Sequence, residues 1–409
     1  MAQQHRGIFK KWNATLIALS FILCIFGTYL TRSGIIQSVH GFGESLVGTF
    51  FLVFLAGVTL FSVILIAARG RVLHAEHELP GLVGREGAFL ATNFLLVGMM
   101  IVTLLGTMFP VISRLIGDRE VTVGPKFYNH VVAPIGMLLV ALMAIGPMLT
   151  YGEGAAQRLL KKLIVPAILA SVALAIAFVR GIHSAWALAC VFIVTAGVAC
   201  VFADLIKTLV LHIRNNGDNP ITAFVFVIDA NHRRYGGQLV HIGMLLAICG
   251  IVGSSVFGEK RDLQLTPGQT TQLAGQTLKF QSLREERHMN YSAVQAEILL
   301  TATDGSSTTL RPQRRFYDKS EQPNSEVALQ SNWKRDVYLT LAGWENGGGN
   351  VALQAYVNPL VSWIWAGGMV MVAGAIVCLL PRVIPVASEA TEKRTQVTLR
   401  GLQLQRSVS

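Results

Sequence analysis

The sequence predicts an all-α polytopic membrane protein of about eight transmembrane helices with one small external antiparallel β-domain. Three observations predict it. Of 409 residues, 52% are hydrophobic and only 14% charged, against about 25% charged in a soluble domain. The apolar residues fall into runs of membrane-spanning length. One long stretch, residues 258–358, is instead polar and alternates with a period of two between turn signals.

In chain order, a basic lead over residues 1–12 precedes the first span at 13–30. It lacks a cleavage site, so it reads as a cytoplasmic amino terminus rather than a removable signal. A glycine-punctuated polar loop follows, with Arg32, Gly34, His40, Gly41 and Gly43. Residues 46–68 return as the second span. The loop 69–86 is basic and holds His74 and His77 beside Glu76 and Glu78; Pro80 and Gly81 mark it as a solvated loop. The third span, 87–109, is expected to end at Pro110, and the fourth covers 130–151. After a basic loop at 152–162, spans five and six occupy 163–179 and 185–211. Residues 221–228 form an amphipathic piece that fits an interfacial helix. The seventh span ends at Phe257 and completes a membrane domain over 13–257.

The β-domain, 258–358, shows alternation at 261–266, 277–283, 293–301, 336–341 and 351–357, with turns at Pro267-Gly268 and Asp304-Gly305. The eighth span, 359–380, opens with Trp363-Ile364-Trp365 as an interfacial anchor, and 381–409 is a polar, basic tail.

The formal charge is +11. Its basic residues cluster beside apolar spans, as orientation by the positive-inside rule requires, so no nucleic-acid partner is expected. The loops after even-numbered spans carry most of the short-loop positive charge. Both termini are therefore expected in the cytoplasm and the β-domain on the outer, periplasmic side. Five cysteines, none in a CxxC pair, lie in apolar segments; they offer neither a disulfide framework nor a zinc site.

No phosphate-binding glycine loop, nucleophile elbow or paired-carboxylate site is present. Asp204 is the one acidic residue well inside a span. Histidine remains. His241 lies about one turn inside the seventh span, just after Arg233-Arg234-Tyr235-Gly236-Gly237. An imidazole at membrane depth needs a partner, and haem iron suits it; a hydrogen bond to a neighbouring helix is the plain alternative. His40 sits among small residues that leave room for a planar ligand. His130 and His183 stand at span ends, and His5, His74, His77, His212, His232 and His288 read as solvated.

These residues carry a resemblance. Leu30-Thr31-Arg32-Ser33-Gly34-Ile35 with Ser38-Val39-His40 resembles a loop of the CcmF cytochrome c haem lyase family. Arg233-Arg234-Tyr235-Gly236-Gly237 with His241 is similar to that family's later transmembrane histidine motif, and Trp363-Ile364-Trp365-Ala366-Gly367-Gly368 to its last span. The resemblance implies covalent attachment of haem to the CxxCH motifs of apocytochrome c at a bacterial inner membrane. His40 would be one of two external ligands to the iron of a transient substrate haem, and His241 one of two transmembrane ligands to a haem b iron. Arg32 and Arg233 would pair with haem propionates or with membrane lipid phosphates.

The family's tryptophan-rich WWD segment has no counterpart here: Trp12, Trp186, Trp333, Trp344, Trp363 and Trp365 are scattered. The chain therefore resembles the carboxy-terminal part of that family, not active alone. The implied partners are the amino-terminal half carrying the WWD segment, a haem chaperone, and the thiol-reducing and apocytochrome-holding components. A specialised paralogue serving one cytochrome, a non-catalytic structural subunit of the lyase complex and a membrane transporter are the alternatives. A transporter would show internal repeats, and none is visible.

Overall fold

The structure, a computed structural model, describes residues 9–35, 46–74, 84–117, 119–150, 154–302, 304–319, 322–345 and 349–381. Nine helices stand among them: α1 Lys10–Arg32, α2 Leu46–Ala68, α3 Arg85–Gly117, α4 Pro125–Ile145, α5 Ala155–Val179, α6 Ala185–Asn216, α7 Pro220–Ala230, α8 His232–Phe257 and α9 Val361–Leu379. Eight of these, all but α7, are long and apolar enough to cross a membrane. The chain is an integral membrane protein, and its lipid-facing leucines, valines and phenylalanines are exposed because no water has to be excluded from them.

Helix ends differ from the sequence expectation in an instructive way. Pro110 does not end its span: α3 continues through it to Gly117. Ser113 Oγ donates to the Pro110 carbonyl at 3.0 Å just beyond the proline, and the helix carries it without ending, as transmembrane helices commonly do. Pro134 and Pro166 likewise lie within α4 and α5. The expected basic loop before span five is partly helix, since α5 begins at Ala155 and carries Arg158, Lys161 and Lys162. The amphipathic piece is α7, with Pro220 at its first turn and the Asn219 side chain accepting from Thr222 N at 2.8 Å, a standard proline-plus-Asn start.

The chain divides into two compact units, Met1–Leu163 and Ile164–Ser409, the boundary falling within α5. In the first, α1 and α2 pack through Gly48, where an added Cβ would meet Ser33 Cα at 2.9 Å. Trp12 of α1 lies against Phe94 of α3, ring centres 5.4 Å apart.

In the second unit ten antiparallel strands run between Glu259 and Pro359: β1 Glu259–Leu265, β2 Thr270–Leu273, β3 Gln276–Arg287, β4 Tyr291–Thr301, β5 Ser307–Leu310, β6 Gln313–Tyr317, β7 Asn324–Glu326, β8 Ala328–Ser331, β9 Arg335–Trp344 and β10 Val351–Pro359. They form two sheets, β1-β10-β9-β8 and β2-β3-β4-β6-β7, with β5 beside β4. Val337, Leu339 and Leu341 alternate inward from β9; Val351, Leu353, Ala355 and Val357 do so from β10. They meet Leu278, Phe280, Ile298 and Leu300 of the facing sheet in one dry core, where each large side chain contributes about 1.5–3 kcal/mol. Strands β2, β5, β6, β7 and β8 went unread in the sequence. The β2–β3 turn is Ala274-Gly275, both left-handed at φ 48° and 76°. This geometry normally selects Asn-Gly, so alanine there gives no sequence signal.

Candidate functional site

The helix α8 is held on two sides. On one side a glycine appears every seventh residue, at Gly236, Gly243 and Gly250, and α9 answers with Gly367 and Gly374. A Cβ on Gly243 would stand 2.6 Å from Gly367 O, and one on Gly236 would stand 2.7 Å from Gly374 O. The two antiparallel backbones therefore touch directly, the close approach that small residues permit between membrane helices. Seven residues is two turns, so the seam stays on one face.

His241 lies two residues from Gly243, about 200° around the helix, and so faces away from that seam. One turn before it on the same face is Gln238, whose Nε2 donates to Asp204 Oδ2 of α6 at 2.7 Å. Arg234 pairs with the other carboxylate oxygen of Asp204. Asp204 is thus the anchor that ties α8 to α6, a task that accounts for a carboxylate inside a span. Deeper along the same pair of helices, the free thiols of Cys190 and Cys249 are neighbours. Their separation of 59 positions in sequence hid this pairing.

Three buried polar atoms of α8 meet no hydrogen-bond partner among the described residues: Tyr235 Oη, Gln238 Oε1 and His241 Nδ1. They recur at a spacing of three, forming a polar stripe. Among the described residues, His241 is the only histidine with such an orphaned buried nitrogen. The other described rings have partners of their own. His130 Nδ1 is 2.8 Å from Lys126 O, and His232 Nδ1 is 3.0 Å from Asp229 O. His183 packs edge-on to Phe178, and His288 stacks on Tyr291. His212 is not solvated as expected: its side chain is 14% exposed, stacks on Phe226 and pairs with Asp218 at 2.9 Å.

Arg32 is in the last turn of α1, exposed, in the first unit, whereas His241 belongs to the second. His40, His5 and His77 lie outside the described residues. Arg233 is exposed in the first turn of α8. Among the described residues no group of three or more His, Cys, Asp or Glu side chains is placed to hold a metal ion. An iron at His241 would therefore rest on one imidazole of this part of the chain. That imidazole fits the role, because no described residue claims it.

An integral membrane protein of eight spans, with a two-sheet domain inserted before the last of them and a half-buried imidazole on the penultimate one, is the class these features define. Residues 256–359 match the family model described as CcmF C-terminal beta-sandwich. The cytochrome c-type biogenesis protein CcmF of Pseudomonas aeruginosa is 30% identical over 93% of this chain and 56% of its own length. Its Escherichia coli counterpart is 29% identical over 92% of this chain and 56% of its own length. A solved structure titled Cytochrome c Heme Lyase CcmF superposes with a TM-score of 0.71, at 24% identity, over 93% of this chain and 56% of the other. Over more than nine-tenths of its length the chain is similar to CcmF proteins, and residues 256–359 match that family's carboxy-terminal domain. It spans little more than half the length of the relatives it matches.

Proposed function

We propose that this chain acts in cytochrome c maturation as the carboxy-terminal portion of a haem lyase assembly in a bacterial inner membrane. In this proposal residues 1–12 and 381–409 are cytoplasmic, and residues 258–358 stand in the periplasm. His241 would be one of the residues holding a resident haem b, His40 one external ligand of the substrate haem, and Arg32 a partner for a propionate of that substrate. The observation that carries it is the buried Nδ1 of His241, which meets no described hydrogen-bond partner on a membrane-spanning helix. A polar atom left so costs about 1–3 kcal/mol, which a ligand can recover.

Bound haem b would supply one-electron redox chemistry that keeps the substrate iron ferrous. The chain's own part is positioning. The glycine seam with α9 fixes the axis of α8, and the Asp204–Gln238 bond fixes its rotation one turn before the imidazole. His40 would hold the substrate so that its vinyl groups meet the two thiols of a CxxCH segment; each S–H adds across one vinyl double bond and nothing else is consumed. The second ligand for each iron and the WWD surface would come from an amino-terminal half. A haem chaperone and apocytochrome-holding components would complete the assembly, and Arg233 would meet lipid phosphates.

A second reading is a non-catalytic subunit that clamps the lyase, favoured by there being one such imidazole and no metal cluster among the described residues. An absorption spectrum separates the two. The purified chain is measured alone and with the amino-terminal half, as wild type and as His241→Ala. Reduced haem b bands that need the partner and vanish in His241→Ala, with co-purification unchanged, are expected. Absence of haem in every sample overturns the resident-haem role, and persistence of the bands in His241→Ala removes it from His241.

A further inference from the structure

The β-domain carries a polar recess lined by its strands alone. Because odd-numbered residues of β9 and β10 fill the core, even-numbered ones face outward. Two cross-strand pairs, Tyr338 with Tyr356 and Thr340 with Gln354, form the floor of a recess of about 550 Å³. The tyrosine rings meet edge-on with centres 5.6 Å apart. Arg314 of β6 and Ser325 of β7 supply its wall.

The recess exists because of a β-bulge. Leu341 pairs with Leu353 and Gly343 with Ala352, so Ala342 is the extra residue of β9. The neighbouring strand β8 pairs only as far as Leu339. The carbonyl of Ala342 is thereby left to the edge, and Arg314 Nη1 donates to it at 2.8 Å. That brace draws the guanidinium against the sheet and buries its Nε, which meets no hydrogen-bond partner among the described residues. The contrast with the next residue is sharp. Arg315 is neutralised by Glu326 at 3.2 Å and lies over the Tyr291 ring, whereas Arg314 has no described carboxylate partner.

No aspartate or glutamate is among the described residues that line the recess. The hydroxyls of Ser325 and Tyr338 donate to no described residue, and that of Tyr356 bonds only Gln354 Oε1 at 3.2 Å. A half-buried guanidinium with no described carboxylate partner, beside spare hydroxyl donors and no acidic lining residue, complements an oxyanion, and its fork geometry matches a carboxylate. The volume suits a small molecule, within the usual 300–1,000 Å³ or so. Strand addition by a peptide is disfavoured, since Arg314 already occupies the Ala342 carbonyl that a docking strand would need.

We propose that this recess binds a small-molecule carboxylate, with Arg314 gripping the carboxylate and the Tyr338–Tyr356 pair supporting its apolar body. The test uses the full chain in detergent micelles and saturation-transfer NMR with benzoate, and benzamide as its neutral twin. Benzoate saturates in the wild type and benzamide does not. Arg314→Gln weakens benzoate about tenfold or more, as loss of a charge-assisted bond requires. Because Arg314 also braces the bulge, the paired change Ser325→Ala and Tyr338→Phe provides a fold-neutral variant; it weakens benzoate several-fold with an unchanged near-ultraviolet dichroism spectrum. Equal saturation by benzamide, or wild-type benzoate binding in both variants, overturns the proposal. Displacement of benzoate by a lower concentration of a glutamate-rich peptide overturns the small-molecule assignment.

Discussion

The α8–α9 pair and the β-domain belong to one unit, yet they are held together by opposite means. The helices meet where side chains are missing: Gly236, Gly243, Gly367 and Gly374 let backbone lie against backbone. The sheets meet where side chains are largest, with Phe280, Ile298, Leu339 and Leu353 wholly enclosed. The difference follows from the solvent. In lipid an apolar side chain gains nothing by leaving its surroundings, so close van der Waals contact is the main attraction left. In water the removal of apolar surface itself drives assembly. The same unit therefore has one interface that fails on addition of atoms and one that fails on their removal.

The most damaging change should be Gly243→Leu. It drives a branched side chain into Gly367 and Met371 backbone atoms that cannot retreat, at a cost of more than about 3 kcal/mol. Loss of monodisperse protein on size exclusion is expected, while Gly368→Leu, whose Cβ meets open space, leaves the profile unchanged. Phe280→Ala should cost the β-domain about 3–5 kcal/mol, read from near-ultraviolet dichroism against denaturant. If Gly243→Leu shifted that same transition equally, the two interfaces would not be separate. Asp204→Asn keeps the shape but unbalances Arg234, for about 1–2 kcal/mol given that Arg234 is half exposed. A lowered thermal midpoint in detergent is the readout. The smallest effect runs the other way: Ala274→Asn relieves the left-handed alanine of the β2–β3 turn and should stabilise the β-domain by about 0.5 kcal/mol.

Much of the fold was legible because apolar run length is a local property. Eight spans and a polar, alternating insert could be counted from composition and period alone. Edges were less legible. Pro110 reads as a stop by the rules of helices in water, but a transmembrane helix can carry a proline without ending, as α3 does. Strands β6 to β8 are three to five residues long, too short for a period to emerge. The seven-residue glycine repeat of α8 was in plain view, but its meaning needed the matching glycines of α9, more than a hundred positions later.

The candidate sites divide the same way. His241 stood out because an imidazole in an apolar run is chemically anomalous wherever the helix goes. That its Nδ1 would be buried and unclaimed, that Asp204 would answer Arg234 and Gln238, and that Arg314 would be braced on a bulged carbonyl could not be read from the chain. By itself the sequence determined which segments enter the membrane and which residue types are available for chemistry, since transfer free energy is summed along the chain. Only the tertiary structure decided which polar atoms find partners and which are left for a ligand, because that depends on segments far apart in sequence meeting within about 3 Å.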